Sequence, residues 1–235
     1  MFNNKYSKTL TIILIIVIVI ILGLLIFFGI NVYKKYYIKQ AATNAIEEFD
    51  NKIIHDEENQ NSIDNTIILN DLIGDVDLNT LYQNTGSGNS SSNKPGTGVT
   101  YMGYDVIGYI EIPATDIKYP IIPDYQSSIN SLNVAIVMLY PSNKGLNEIG
   151  NTVLAGHNYR DGTFFSNNKR LQNGDKIYIT DTSGNKVTYE VYKKYETAAN
   201  EATYMNRDTE GRREISLTTC TDDTKQRLII WAKEV

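Results

Sequence analysis

The first apolar run of the chain is long enough to cross a membrane. Residues 10–30 carry no charged side chain and consist almost entirely of Ile, Leu, Val and Phe. At 1.5 Å per helical residue, about 20 residues span the hydrocarbon core of a bilayer. A signal peptide would have a shorter apolar region followed by a small-residue cleavage site, whereas residues 26–30 are mostly bulky. We therefore predict an uncleaved transmembrane anchor over residues 10–30, after a short N-terminal segment of residues 1–9.

The region after this run divides into a helical part and a linker. Ala42, Ile46 and Phe49 recur at spacings of three and four among polar residues, which is the pattern of an amphipathic helix. We predict a juxtamembrane helical segment over residues 31–82. Gly, Ser, Asn and Thr then dominate, a composition typical of flexible coil, so we predict a flexible linker over residues 83–100.

The pattern changes to short alternating runs over residues 101–235. Residues 176–180 and 186–195 alternate between apolar and polar positions, and the intervening Asp-Thr-Ser-Gly-Asn sequence suits a hairpin turn. Further predicted strands are residues 107–112, 117–122, 151–155, 214–220 and 226–233. Evenly spaced strands favour a small closed barrel over a sandwich, because a barrel has no exposed sheet edge. We therefore predict an all-β domain over residues 101–235.

Charge excludes one class of partner and leaves the membrane topology open. The formal net charge is −5 and the pI is about 5.1, which argues against nucleic-acid binding, since that needs basic patches. Lys5 and Lys8 precede the apolar run, and Lys34, Lys35 and Lys39 follow it. The positive charges therefore do not favour an exported C-terminal side.

Three residues suited to acyl transfer stand at the ends of predicted strands. Cys220 ends one strand, His157 follows another and Arg227 opens a third. A thiol, a group that can protonate a departing amine and a donor for an oxyanion are the parts that this chemistry needs. Each also has a structural interpretation, as a buried thiol, a hydrogen-bonded histidine and a charged strand end. His55, among acidic residues of the predicted helix, is interpreted as a solvated surface residue.

The motifs around these residues resemble those of the sortase family. Residues 216–220, Ser-Leu-Thr-Thr-Cys, resemble the signature Thr-Leu-x-Thr-Cys, and residues 154–157, Leu-Ala-Gly-His, resemble the strand end that bears the sortase histidine. Residues 227–230 resemble the arginine strand, and the resemblance covers residues 107–235. Residues 156–165 look like class B, but other features are closer to class A, so the subclass stays open.

The resemblance implies a closed eight-stranded β-barrel with short helices, preceded by the transmembrane helix. It also implies a membrane-anchored cysteine transpeptidase whose catalytic domain is extracellular. Cys220 would be the nucleophile, His157 the proton carrier and Arg227 the oxyanion partner. The positions that correspond to the substrate groove are Ala155, Thr218 and Thr219.

The implied substrates are secreted surface proteins with a C-terminal sorting signal. A motif similar to Leu-Pro-x-Thr-Gly would be cleaved after its Thr, and an amine of peptidoglycan or of a pilin would receive the acyl group. The segment before the cysteine strand, residues 200–213, stands where the substrate-selecting loop would be. We expect no cofactor and no metal site, because no Cys, His or carboxylate cluster has ligand spacing; calcium dependence stays open.

Two alternatives fit the residues alone. One is a membrane-anchored β-barrel binding or adhesion module with a structural Cys and His. The other is a cysteine protease that only hydrolyses its substrate. The reactivity of the thiol would distinguish an enzyme from a binding module. The incorporation of an added amine would distinguish a transpeptidase from a hydrolytic protease.

Overall fold

The computed structural model describes residues 4–73, 97–123, 129–141 and 144–235. Most of the predicted linker, residues 83–96, therefore lies outside the described residues. The chain forms two compact units, Met1–Ala41 and Ala42–Val235. The domain boundaries drawn from the sequence stay predictions.

A single long helix, α1, runs from Asn4 to Ile73. Within the described part of the chain, it is the one helix with the length and apolar composition to cross a membrane. The large apolar side chains of residues 10–30 are exposed. A continuous apolar surface of this kind is unfavourable in water, and a helix of this composition is found both in membrane anchors and in signal sequences.

The second unit begins with a stretch of α1 that packs on a strand. Ala42, Ala45, Ile46 and Phe49 are buried, and their spacing places them on one face of the helix. The Phe49 ring meets the Tyr109 ring edge-on, with centroids 5.8 Å apart. This stretch therefore belongs to the same compact unit as the β-structure.

The β-structure consists of a small hairpin and a barrel. The hairpin pairs strands β1, Thr100–Tyr101, and β2, Tyr104–Asp105. The barrel strands are β3 Gly108–Ile112, β4 Ile117–Pro123, β5 Ile136–Tyr140, β6 Gly150–Ala155, β7 Lys176–Asp181, β8 Lys186–Ala198, β9 Arg213–Cys220 and β10 Gln226–Glu234. A short helix, α2, Ile129–Leu132, precedes β5.

The eight strands close in the order β10-β8-β7-β3-β4-β5-β6-β9, which confirms the predicted barrel. Most neighbours are antiparallel, but β4 pairs with β5 and β6 pairs with β9 in parallel. Parallel pairing brings the carboxyl ends of β6 and β9 to the same end of the barrel. Because β10 runs antiparallel to β9, its first residues lie at that end too.

The two faces of this part of the sheet differ in chemistry. Leu154, Leu217 and Ile230 are neighbours across β6, β9 and β10 and are fully buried, as expected of the barrel interior. Successive side chains along a strand point to opposite faces of the sheet. The preceding pair, Val153 and Ser216, therefore points away from the barrel interior. Cys220 lies on this outward face, four residues after Ser216.

Candidate active site

Cys220 and Arg227 are direct neighbours on β9 and β10. They are paired in the antiparallel register, and side chains opposite each other in such a pair share a face. Arg227 Nη1 donates a hydrogen bond to Cys220 Sγ at 2.7 Å. Cys220 is half-buried and forms no disulfide, and the guanidinium places a positive charge directly against its sulfur.

His157 follows β6 at the same end of the barrel. Ala155 is paired with Thr218, and the Gly156 amide donates to the Thr218 carbonyl at 3.2 Å. His157 and Cys220 each lie two residues beyond this pair, so the parallel register brings them to neighbouring positions. The Phe165 amide donates to the His157 carbonyl at 3.1 Å, which fixes the backbone after the strand.

Gly156 allows the chain to approach an aromatic ring just before His157. A Cβ at Gly156 would lie 2.9 Å from a carbon of the buried Phe165 ring. A side chain of any size would therefore displace the ring or the backbone. The sequence Gly-His at the end of β6 reflects this close packing.

The surroundings of His157 favour its neutral form. Desolvation by burial, followed by the charge of Arg227, lowers the pKa of His157 below its ordinary value of 6.5. The ring also lies 5.0 Å, centroid to centroid, from the ring of Tyr159. Near neutral pH the imidazole is therefore mainly unprotonated and can accept a proton.

Asn158 connects the loop after β6, which contains His157, to the loop that follows Cys220. The sequence did not indicate this role. Asn158 Nδ2 donates to the Cys220 carbonyl and to Asp222 Oδ1, both at 3.0 Å. Asp222 also pairs with Lys169 at 2.5 Å. The only available signal was the position of Asn158 next to His157, and an asparagine in a loop usually serves the local turn.

Of the three residues predicted to line the groove, two lie on the outward face of the sheet and one lies on the opposite face. Ala155 and Thr218 are buried and paired on the outward face that carries Cys220. Thr219 lies on the opposite face, and its hydroxyl donates to the Gly156 carbonyl at 2.7 Å. In this structure Thr219 joins the ends of β6 and β9, and substrate contact by all three residues stays a prediction.

A pocket of about 280 Å³ opens beside Cys220. Its lining includes Asn158, Lys169, Glu196 and Asp222. The cysteine is therefore next to an accessible space. Among the described residues, no group of three or more His, Cys, Asp or Glu side chains is arranged to hold a metal ion.

The arrangement has the parts for acyl transfer through a thioester. It contains a sulfur with a cationic hydrogen-bond donor, and a histidine that follows the neighbouring strand at the same end of the barrel. A cysteine nucleophile, an acid–base group and a donor for a developing oxyanion are the common parts of such sites. The geometry brings Cys220 and Arg227 into contact and places His157 at the same end of the barrel.

The chain resembles several solved structures over about half its length. A Clostridium perfringens sortase D5 transpeptidase is 28% identical, with 56% of this chain and 79% of that chain covered and a TM-score of 0.49. A lid mutant of sortase A from Corynebacterium diphtheriae is 26% identical, with 55% and 70% covered and a TM-score of 0.49. Sortase C from Clostridium perfringens is 25% identical, with 56% and 70% covered and a TM-score of 0.47. No curated protein matches the chain.

The family is shown by the sequence itself. Residues 110–235 match the profile of the sortase family, described as the sortase domain. This match covers more than half of the chain and includes β9, β10 and the end of β6. The chain therefore belongs to the sortase family of cysteine transpeptidases.

Proposed function

We propose that the chain cleaves a sorting motif similar to Leu-Pro-x-Thr-Gly after its Thr and transfers the acyl group to an amine. Cys220 is the nucleophile, His157 the proton carrier and Arg227 the oxyanion partner in this proposal. The main observation in support of this proposal is the 2.7 Å contact between Arg227 Nη1 and Cys220 Sγ. This contact lies at the end of the barrel where His157 follows β6.

The reaction takes two steps at the sulfur. In the first, Cys220 gives its proton to His157 and attacks the carbonyl carbon of the motif's Thr; the C–N bond breaks, and His157 returns the proton to the departing amine. In the second, an acceptor amine attacks the thioester, a new C–N bond forms, and the C–S bond breaks. The proton lost by the acceptor amine passes through His157 to the sulfur, so the thiol and the neutral imidazole are restored.

Arg227 can stabilise negative charge at two stages of the reaction, first on the sulfur and then on the substrate oxygen. In the resting site its guanidinium contacts the sulfur, where a positive charge stabilises a developing thiolate. The carbonyl oxygen of a substrate attacked by Cys220 develops its negative charge within a few ångströms of the same sulfur. A small movement of the guanidinium from sulfur to oxygen would stabilise that oxyanion.

The proposed substrates are secreted surface proteins with a C-terminal sorting signal, and the proposed acceptor is an amine of peptidoglycan or of a pilin. The apolar part of α1 acts as the membrane anchor, with the barrel outside the cell. Sortases are typically membrane-anchored, and α1 has the length and composition to span a bilayer. The proposed location is therefore the cell membrane, with one span.

The test uses the full chain in detergent micelles. A panel of fluorogenic peptides based on Leu-Pro-x-Thr-Gly is incubated with and without an added amine, and products are identified by mass spectrometry. We expect cleavage after Thr, capture of the amine and complete loss of both in Cys220→Ala. Cleavage that persists in Cys220→Ala would refute the assignment of the nucleophile, and hydrolysis without amine capture would favour a cysteine protease.

A further inference from the structure

The main chain around His157 is held on both sides, but its imidazole ring can still rotate. The Gly156 amide donates to the Thr218 carbonyl at 3.2 Å, and the Phe165 amide donates to the His157 carbonyl at 3.1 Å. Rotation of a histidine ring about the bond between Cβ and Cγ has only broad intrinsic preferences. In sites where a histidine moves a proton, a further group commonly orients the ring. The packing of neighbouring side chains therefore decides which orientation the imidazole adopts.

Tyr159 packs against the imidazole of His157. The two ring centroids are 5.0 Å apart, and the ring planes are inclined by 35°. This separation lies in the range of attractive aromatic pairs. Tyr159 is 44% exposed, so it lies at the surface, and its contact with the histidine shields part of the imidazole from water.

The hydroxyl group of Tyr159 is anchored to a different part of the chain. It donates to Asn133, with its oxygen 3.2 Å from Asn133 Oδ1 and 3.4 Å from the Asn133 carbonyl oxygen. Asn133 lies between α2 and β5, in a turn where the Ala135 amide donates to the Ser131 carbonyl at 2.9 Å. The tyrosine is therefore held at its hydroxyl end as well as at its backbone, which limits the rotation of its ring away from His157.

The loop after His157 also supports Tyr159. The Tyr159 amide donates to Ser166 Oγ at 3.0 Å, and the ring centroid lies 6.1 Å from that of the buried Phe164. Phe164 has a φ of 45°, in the left-handed region that bulky residues rarely adopt. Such conformations persist where the surrounding structure compensates for their cost, and they are common at functional sites. The loop thus maintains an unfavourable backbone conformation with the Phe164 ring next to Tyr159.

We propose that Tyr159 is a positioning residue, whose ring, anchored by Asn133 and packed on Phe164, holds the imidazole of His157 in the orientation that exchanges a proton with Cys220. This inference rests on the proposed function, because it takes His157 as the proton carrier. The Tyr159 hydroxyl is directed to Asn133 and takes no part in the proton transfer. Loss of the ring should therefore slow bond breaking more than it weakens peptide binding.

The kinetic test compares Tyr159→Ala and Tyr159→Phe with Tyr178→Ala, in the full chain in detergent micelles. Tyr178 is a matched control because it is a partly exposed tyrosine on β7, which does not pair with β6, β9 or β10. For the peptide that the wild type cleaves, we expect Tyr159→Ala to lower kcat by about tenfold with little change in KM. Tyr159→Phe keeps the ring and should fall between Tyr159→Ala and the wild type. Tyr178→Ala should change neither value.

NMR of the imidazole C–H resonances measures the contact without turnover. The chain has two histidines, and His157→Gln assigns the signals of His157. The ring current of a tyrosine shifts the resonances of a ring packed on it. At a fixed pH, Tyr159→Ala should therefore move the His157 signals, whereas Tyr159→Phe should leave them close to the wild-type positions. The signals of His55, on α1, should be the same in every variant.

The same spectra recorded against pH give a second measure. Burial is the larger cause of the lowered pKa of His157, and the charge of Arg227 on β10 is the smaller one. Tyr159→Ala uncovers the imidazole, so the pKa of His157 should rise toward 6.5. The other titratable groups of the site, Cys220 on β9 and Arg227, are the same in all variants. The pKa of His157 in Tyr159→Phe should stay near the wild-type value.

A double-variant cycle tests the anchor. Tyr159→Phe removes the hydroxyl, and Asn133→Ala removes its nearer acceptor. Loss of one hydrogen bond is worth about 1 kcal/mol, so we expect Tyr159→Phe to lower kcat by about threefold and Asn133→Ala to lower it by no more. If the two residues act through one contact, the double variant should lose no more than Tyr159→Phe alone. Losses that multiply would overturn the shared anchor, and this cycle also decides the matter if Tyr159→Ala does not fold.

The outcomes separate this inference from the proposed function. No peptide cleavage by the wild type would contradict the proposed function, and the NMR spectra would still report whether Tyr159 packs on His157. Cleavage by the wild type with unchanged His157 signals and pKa in Tyr159→Ala would overturn the positioning role. A higher KM with an unchanged kcat in Tyr159→Ala would also overturn it, because the tyrosine would then contact the peptide instead of orienting the histidine.

Discussion

Arg227 Nη1 lies 2.7 Å from Cys220 Sγ, and the two residues face each other directly across β9 and β10. The pairing places a permanent cation on the one sulfur that the chain can use as a nucleophile. A turn holds the two strand ends together, since the Thr221 amide donates to the Gln226 carbonyl at 3.0 Å. The backbone therefore holds the two residues opposite each other.

Replacing Arg227 tests its electrostatic role. We expect Arg227→Gln to lower kcat for peptide cleavage by about 10²-fold, because removal of one oxyanion donor commonly costs this much. The measurement is the initial rate at saturating peptide. Lys225→Gln is the control, since it removes an exposed positive charge from the adjoining loop; an equal loss in both variants would contradict a specific role for Arg227.

The protonation of His157 should respond to the same substitution. Burial first and Arg227 second lower the pKa of His157, so Arg227→Gln should raise it toward 6.5. Proton NMR of the imidazole C–H resonances against pH measures this directly, with His157→Gln used to assign the signal. An unchanged or lower pKa in Arg227→Gln would contradict the electrostatic coupling.

The lowered pKa also sets the direction of a pH effect on stability. As the pH falls below 6.5, the unfolded chain protonates His157 before the folded chain does. The unfolded state then binds more protons, and the free energy of unfolding decreases with falling pH until the folded-state pKa is reached. Urea unfolding at a series of pH values should show this decrease in the wild type, and a smaller decrease in His157→Gln.

Gly156→Ala should disturb the site through packing. The new methyl group would lie 2.9 Å from the Phe165 ring, and overpacking of a core costs about 1–3 kcal/mol. We expect a lower midpoint of urea unfolding and a reduced kcat, because His157 is the next residue. The double variant Gly156→Ala, Phe165→Leu relieves the contact, and failure to recover part of the loss would contradict this explanation.

Asn158→Ala should loosen the connection between the loop after β6, which contains His157, and the loop that follows Cys220. The substitution removes the hydrogen bonds to the Cys220 carbonyl and to Asp222, and misplacement of a reacting group can cost tenfold or more in rate. We expect kcat to fall by about tenfold with the fold retained by circular dichroism. The exposed Asn173→Ala is the control, and equal rates in both variants would exclude a positioning role for Asn158.

The boundary of the soluble domain is also testable. A fragment of residues 42–235 keeps the packing of Phe49 on Tyr109, whereas a fragment of residues 101–235 loses it. Burial of one large apolar side chain is worth about 2 to 3 kcal/mol, so the shorter fragment should unfold at a lower urea concentration. Phe49→Ala in the longer fragment should reproduce part of this loss, and equal midpoints for all three would favour a domain that begins at residue 101.

Local sequence patterns were sufficient to predict the main helix and strands, because these elements depend mainly on residues that are neighbours in the sequence. The uninterrupted apolar run of residues 10–30 predicts a helix long enough to cross a membrane, and the structure contains that helix. Alternation over residues 176–180 and 186–195 predicts two paired strands, which form β7 and β8. The resemblance to sortases supplied the number of strands, and the closed barrel has that number.

Loop residues with distant partners were not predictable in the same way. Asn158 and Arg207 carry no local pattern. Asn158 bonds to Cys220 and Asp222, 62 and 64 residues away, and Arg207 bonds to Asn151, 56 residues away. Their contacts arise only after strands from different parts of the chain have paired. An arginine in a polar loop is usually exposed, so burial of Arg207 against Glu214 could not be expected from its surroundings in the sequence.

The sequence by itself determined the long apolar helix, the all-β domain and the three residue types that acyl transfer requires, because hydrophobic periodicity and short motifs are local properties. The tertiary structure decided which side chains meet. Strand register places Arg227 on the sulfur and turns Thr219 away from it. A shift of one residue between two strands exchanges their faces, and that shift is governed by turn geometry and packing across the whole barrel.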